Sequence, residues 1–360
     1  MPHALYGLFL ESSNPFQLEL SMVPSTMLKA VFLGEDRIQV QEAPVPEPGP
    51  GEVLLKTRYC GLCGSDKRLF HNGAQNTPGH ELTGIVVKNG PGASAPLNNR
   101  VAVYIHHYCG QCRFCKAGET NRCIDVLGGQ VGFNRPGGYA QYLTAPASCL
   151  IPLPDDISDS EGVLLLDTIG TATYGIQYGL RTLNSKAQAG KAAIVGLGPL
   201  GLGSLLILST LGFKEKVYVF DPAPARLQAA LSWGAKEIDP ENISEQGDFT
   251  VVVEATGQQA GRDRVLDLVE PGGGVVLFGQ SPNPWTVPVN IKWRRKDFTL
   301  AHPFYFPIGM VGEFAEIFRA RVKQYREMIH PVVSLDKLEG TFKDYCEGKT
   351  LKPLVKPNPD

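Results

Sequence analysis

Four of the chain's eight cysteines fall within fifteen residues, at Cys109, Cys112, Cys115 and Cys123. Thiolates at this spacing can converge on one tetrahedral Zn²⁺, and four protein ligands then fill every coordination position. A closed site of that kind holds a loop together and leaves no place for a substrate. An iron–sulfur cluster is the rival for such spacing, but the further cysteine runs usual around one are missing. Two sparser stretches also carry metal-competent side chains: Cys60-Gly-Leu-Cys-Gly-Ser-Asp66 and Gly79-His-Glu81. Cys63 and His80 each have a plain alternative, as a packed thiol and as a core histidine. Cys60 reads as inert packing. His106 and His107 read as surface or cleft-lining residues without a metal.

A different chemistry is written at Gly196-Leu-Gly-Pro-Leu-Gly201. Gly196, Gly198 and Gly201 permit a tight turn, with Pro199 and Leu200 opening a helix whose N-terminus can receive a pyrophosphate. Proline is suited to a helix start, where no N–H is required. Asp221 follows twenty residues after Gly201. A carboxylate there accepts hydrogen bonds from both ribose hydroxyls of an adenosine and repels a 2′-phosphate, which favours NAD(H) over NADP(H). Arg226, one helical turn further, can lie against the adenine ribose or swing toward a phosphate. A turn that binds nothing is the plain alternative.

The elements that must position these residues differ along the chain. Residues 28–165 hold short extended runs, such as Glu52–Lys56, Gly84–Val87 and Arg100–Ile105, punctuated by glycine and proline. This predicts a compact, barrel-like β domain. After about residue 170, strand and helix patterns alternate. Strands are predicted at Lys191–Val195, Val217–Phe220, Thr250–Glu254 and Gly274–Phe278. Helices are predicted over Pro199–Leu211, Ala225–Trp233 and Ala260–Val269. Such alternation makes a doubly wound parallel sheet of the Rossmann kind, so the fold class is α/β. One more helix is predicted over Val311–Arg326. The domain division is then 1–27 as an N-terminal extension, 28–170 as a catalytic domain, 171–299 as a nucleotide-binding domain, and 300–360 as a return to the catalytic domain.

Composition narrows the partners. With 34 Lys+Arg against 36 Asp+Glu, the net charge is −2, so there is no basic footprint for nucleic acid. No apolar run approaches the roughly 18 residues of a membrane helix. The leader lacks a basic n-region with a clean apolar core, so it makes a poor signal peptide. Cysteines clustered at metal spacing in such a chain fit reduced thiols in a cytoplasmic enzyme.

In combination, C-G-x-C-x-S-D, G-H-E, the four-cysteine lobe and the later G-x-G-x-x-G resemble the zinc-dependent medium-chain alcohol and polyol dehydrogenases. The resemblance runs from about residue 28 to the C-terminus. It implies a GroES-like catalytic domain and two zinc ions per chain. Cys63 and His80 would bind the catalytic ion, with Asp66 supporting His80 and Glu81 lying next to the metal. The family's third ligand comes from just before the nucleotide domain, where Asp167 is the only metal-competent side chain in Leu164–Thr171. Asp167 can also be read as a cap for the following helix. Three ligands leave one position open for water or substrate. Ser65 would accept an alcohol proton, and Thr171 would contact the nicotinamide amide. The family's usual relay histidine is replaced by Arg68, which cannot shuttle protons. Either the relay bypasses that position, or Arg68 holds a phosphate or an anionic group.

The resemblance implies a small alcohol substrate, a polyol, sugar or cyclitol by preference, with NAD as hydride acceptor, and a homodimer or homotetramer. The alternatives are a formaldehyde dehydrogenase or aldehyde dismutase with tightly held NAD, suggested by Asp167, and a non-catalytic zinc- and nucleotide-binding protein.

Overall fold

The computed structural model describes residues 23–126, 129–181, 183, 190–213, 215–239, 248–281, 283–286 and 290–359. Most of the expected extension, residues 1–22, lies outside the described residues. The first strand, Thr26–Gly34, pairs antiparallel with Arg37–Pro44.

A seven-stranded sheet follows. Its order is Ile329–Val333, Lys352–Val355, Glu52–Gly61, Glu81–Asn89, Arg100–Val103 and Leu150–Pro152, with Tyr142–Pro146 also pairing to Glu52–Gly61. The chain's last strand, Lys352–Val355, thus sits antiparallel against Glu52–Gly61. That pairing brings the C-terminal residues beneath Cys63 and Glu81, which flank the neighbouring strands.

The second sheet has six parallel strands, counted in chain order as Ala192–Val195, Val217–Phe220, Lys236–Glu237, Phe249–Glu254, Val269–Leu277 and Thr299–Ala301. Their spatial order is 3-2-1-4-5-6, the doubly wound arrangement with a crevice where the order reverses. Ala192–Val195 and Phe249–Glu254 are buried along their whole length, as parallel strands covered on both faces must be. The expected domain boundary at 299/300 falls inside the sixth strand.

One continuous apolar core runs across the seam between the sheets, from Ala102, Tyr104 and Ile105 to Leu202, Leu205 and Val253. The single helix expected over Val311–Arg326 is two, Val311–Ala320 and Val322–Met328. Arg321 leaves the helical region (φ −137°). The break lets Phe318 of one helix and Tyr325 of the other stack, with centroids 5.8 Å apart, in that same core.

The helix Pro199–Leu208 lies against the segment that carries Asp167. At Gly203 a β-carbon would stand 2.0 Å from the Thr168 carbonyl oxygen, so only glycine permits this backbone approach. Gly203→Ala should therefore lower unfolding free energy by about 1–3 kcal/mol through overpacking. Urea unfolding checks this, and an unchanged midpoint would contradict it.

Candidate active site

Strand Glu52–Gly61 ends in a tight turn, Gly64–Asp66, which leads into helix Lys67–Asn72. The turn carries Cys63, Ser65 and Asp66. His80 immediately precedes strand Glu81–Asn89, next to it in the sheet. Asp167 opens a π-helical turn, Asp167–Thr171, that runs into helix Ala172–Leu180. Such single π turns recur at functional sites. Leu166, just before it, has an uncommon backbone (φ −78°, ψ −108°).

These elements converge. One ligand atom each from Cys63, His80, Glu81 and Asp167 lies within 4.8 Å of all the others, and all four residues are buried. His80 Nε2 is 3.3 Å from Asp167 Oδ2, and Cys63 Sγ is 3.5 Å from the same oxygen. On its other side, His80 Nδ1 is 3.3 Å from Asp66 Oδ1. The Tyr139 hydroxyl stands 3.0 Å from Asp66 Oδ2. Asp66, itself held by Tyr139, thus stands as a charge contact behind the ring while Nε2 faces the cluster, and a carboxylate behind the ring is the usual setting of a metal-ligating histidine. Ser65 Oγ lies 3.4 Å from Cys63 Sγ and 3.5 Å from His80 Nε2.

The electrostatics call for a cation. Burial works against a charge on His80, but Asp66 foremost, then Cys63 and Asp167, hold its pKa well above the ordinary value. Burial pushes the Asp167 carboxyl up, yet His80, Lys352 and Thr171 together hold it below the usual range. Burial raises the Cys63 thiol; His80 opposes this, and Glu81 and then Asp167 add to it. A thiol and three carboxylates thus crowd a dry site. A divalent ion at this point would compensate them.

Glu81 also has a partner outside the cluster. Its Oε1 accepts from Lys352 Nζ at 2.5 Å, and both residues are fully buried. Lys352 also donates to the Leu62 carbonyl at 3.0 Å. Glu81 Oε2 has no hydrogen-bond partner.

The four lobe cysteines form a second such group, again within 4.8 Å of one another. They make no disulfide. Backbone N–H groups of Gln111 and Cys112 donate to Cys109 Sγ at 3.4 and 3.3 Å. Backbone donors pull the Cys112 thiol down to about 6, while burial and then Cys112 push Cys115 up to about 12. Thiols this close cannot all ionise until a cation joins them.

At the nucleotide loop, Gly196 has φ +96° and a β-carbon on Gly201 would stand 1.9 Å from its carbonyl oxygen. Gly198 caps the helix Pro199–Leu208, with Pro199 at its start and Leu200 beside it. Asp221 directly follows the second strand of the parallel sheet. Its Oδ2 accepts from Leu197 N at 2.6 Å and its Oδ1 from Ala223 N at 2.8 Å. Each oxygen keeps a further lone pair.

Two expectations change. Arg226, expected against an adenine ribose, is buried and donates to the carbonyls of Tyr345 and Thr350, with its guanidinium over the Tyr345 ring. Helix Pro224–Ser232 meets the C-terminal segment there, and carbonyls at and just beyond the end of helix Leu338–Cys346 hold the cation. Thr171, expected against the nicotinamide, donates its hydroxyl to Asp167 Oδ1 at 3.0 Å. His106 and His107 are buried, which rules out the surface reading and leaves the cleft-lining one.

Other site residues escaped the sequence reading. Phe133 stacks on the His80 ring at 4.9 Å, and exposed Arg68 lies over Phe133. Lys352 was signalled only by a charge within the apolar run Leu351–Val355. Tyr139 and Tyr305 had no local signal.

Residues 49–155 match the alcohol dehydrogenase GroES-like domain. The L-threonine 3-dehydrogenase of Mesorhizobium japonicum is 30% identical over 299 residues, covering 77% of this chain and 83% of that one. An alcohol dehydrogenase from Thermus sp. ATN1 superposes with a TM-score of 0.81 at 25% identity, over 92% of this chain and 100% of the other. The 2R,3R-butanediol dehydrogenase of Bacillus subtilis shares the fold, with a TM-score of 0.78 at 23% identity over 92% of this chain and 100% of the other. Fold and relatives together define an oxidoreductase of the alcohol dehydrogenase type, acting on a small molecule with a nicotinamide dinucleotide. The chain belongs to the zinc-dependent medium-chain alcohol dehydrogenase family. Among the described residues, no helix is long and apolar enough to cross a membrane.

The buried ion pair makes a stability prediction. Lys352→Met should cost about 3–5 kcal/mol, because Glu81 is left charged and unpaired. Adding Glu81→Gln should return a large part of that loss. Urea unfolding of the two single variants and the double variant checks this, and additive losses would show that the charges do not interact.

Proposed function

We propose that Cys63, His80 and Asp167 hold a catalytic zinc and that the four lobe cysteines hold a structural one. The carrying observation is the convergence of buried ligand atoms from Cys63, His80 and Asp167, on separate elements, with Glu81 beside them already paired to Lys352. Three ligands leave a position open, as catalytic zinc requires, whereas four thiolates leave none. When bound, zinc supplies Lewis acidity toward an alcohol oxygen, and the nicotinamide supplies a hydride acceptor.

The chain's own residues do the rest. Ser65, half-buried beside Cys63 and His80, accepts the proton that an alcohol loses. Arg68 is exposed over Phe133 and permanently charged, so it cannot carry that proton further. Asp66 and Tyr139 keep His80 Nε2 directed inward. Asp221 receives the adenosine ribose hydroxyls and selects NAD over NADP. The substrate is a secondary or primary alcohol, with a polyol, sugar or cyclitol preferred. The working protein is a cytoplasmic homodimer or homotetramer.

Metal analysis of the purified protein tests the two-zinc reading. Asp167→Ala should lose one of two zinc ions and all turnover while its circular dichroism is unchanged. Retained activity would mean that Asp167 is not a ligand. Asp221→Ala should weaken NAD binding more than NADP binding, as read by fluorescence titration; equal losses would remove its ribose role. NAD released on denaturing the purified protein would favour the aldehyde-dismutase alternative.

A further inference from the structure

Two buried polar groups beside the cluster have no role in the reading above. His106 is only 2% exposed. Its Nδ1 is 3.4 Å from the Gln130 side-chain nitrogen. An amide nitrogen only donates, so Nδ1 accepts and the ring proton resides on Nε2. That Nε2 is buried and has no hydrogen-bond partner. The ring is enclosed by Tyr104, Phe304 and Tyr305, at centroid distances of 5.8, 5.0 and 5.2 Å. Burial pushes His106 down to about 4, and the nearby Asp167 charge only partly opposes this. The ring is therefore neutral at working pH.

Tyr305 is the second group. It is 8% exposed. Its hydroxyl approaches the Asp167 carboxylate and feels Glu81 and Cys63, yet it makes no well-formed hydrogen bond. Its backbone is left-handed, at φ +51°, which is uncommon for a bulky residue. Both flanking carbonyls are clamped: Asn121 donates to Phe304 O at 2.9 Å and Tyr104 to Phe306 O at 2.6 Å. A strained conformation persists where its surroundings over-determine it, and such strain gathers at functional sites. An unpaired buried donor also carries a desolvation cost of about 1–3 kcal/mol, which a ligand oxygen would relieve.

We propose that His106 Nε2 and the Tyr305 hydroxyl form a polar subsite that binds a second, unreacting oxygen of the substrate. This rests on the cluster of Cys63, His80 and Asp167 being the reacting centre. His106 Nε2–H can only donate, so it needs an acceptor, which an ammonium group lacks. A carboxylate would accept, but it would enter among Asp66, Glu81 and Asp167. The group that fits is a neutral hydroxyl or carbonyl oxygen close to the reacting carbon. The subsite therefore selects vicinal diols and polyols over monohydric alcohols and amino alcohols.

Zinc-loaded full-length protein would be assayed with butane-2,3-diol and butan-2-ol, which differ by one hydroxyl. Binding of each to the NADH complex would be measured by calorimetry alongside turnover. The wild type should prefer the diol in both readouts. His106→Leu and Tyr305→Phe should each lower kcat/KM for the diol about 10- to 100-fold, because a site built to hydrogen-bond one group loses that discrimination. Butan-2-ol should be little affected. An equal fall for both alcohols would assign the two residues to structure and overturn the subsite, as would a wild type with no diol preference. If neither alcohol is oxidised, but the diol still binds more tightly to the wild type and not to the variants, the subsite stands and the alcohol-oxidation reading fails.

Discussion

Lys352 and Glu81 hold the catalytic half together. They are 271 residues apart in sequence and both fully inaccessible to solvent. A single charge at that depth would carry a desolvation penalty of several kcal/mol, so each requires the other. Burial works against the Lys352 charge, yet Glu81 holds its pKa above the ordinary value. The pair can close only when the chain's last strand is seated against Glu52–Gly61. Completing the sheet and assembling the site are therefore one event. The same bond ties one oxygen of Glu81 to Lys352 while the residue stays beside Cys63, His80 and Asp167.

Around that pair the site is built from parts under tension. Asp167 sits at the mouth of a π turn, after a residue with an uncommon backbone. It is pressed in from behind by the contact of Gly203 with Thr168. Tyr305 is held left-handed by two clamped carbonyls. None of these conformations is favoured locally. The core that crosses the seam between the sheets, from Tyr104 to Phe306 and Phe314, supplies the packing that keeps them in place.

The nucleotide half is more regular. Asp221 accepts two backbone N–H groups, one from the glycine loop and one from the turn that follows the strand. The carboxylate thereby fixes the loop before any dinucleotide arrives. It also shapes the crevice at the point where the parallel strand order reverses.

Much of this was legible in the sequence. The spacing of Cys109, Cys112, Cys115 and Cys123 required a compact thiolate group. Strand, glycines, proline and Asp221 came in the order a nucleotide loop requires. The alternation of strand and helix gave the parallel sheet, and Cys63, His80 and Asp167 were picked out as a set. The lobe, the nucleotide loop and the alternation lie within one turn or one βα unit, where chain spacing dictates geometry, whereas the set Cys63, His80 and Asp167 came from the family resemblance. The tertiary structure alone decided the rest. Arg226 is captured by carbonyls of a segment more than a hundred residues away. Thr171, four residues after Asp167, turns its hydroxyl back to that carboxylate. The helix after Val311 breaks at Arg321 so that Phe318 and Tyr325 meet. Lys352 finds Glu81, and His106 meets Tyr305, only because two distant segments share one core. Buried charges and unpaired donors must be matched wherever the fold brings them, and no periodicity along the chain records that requirement.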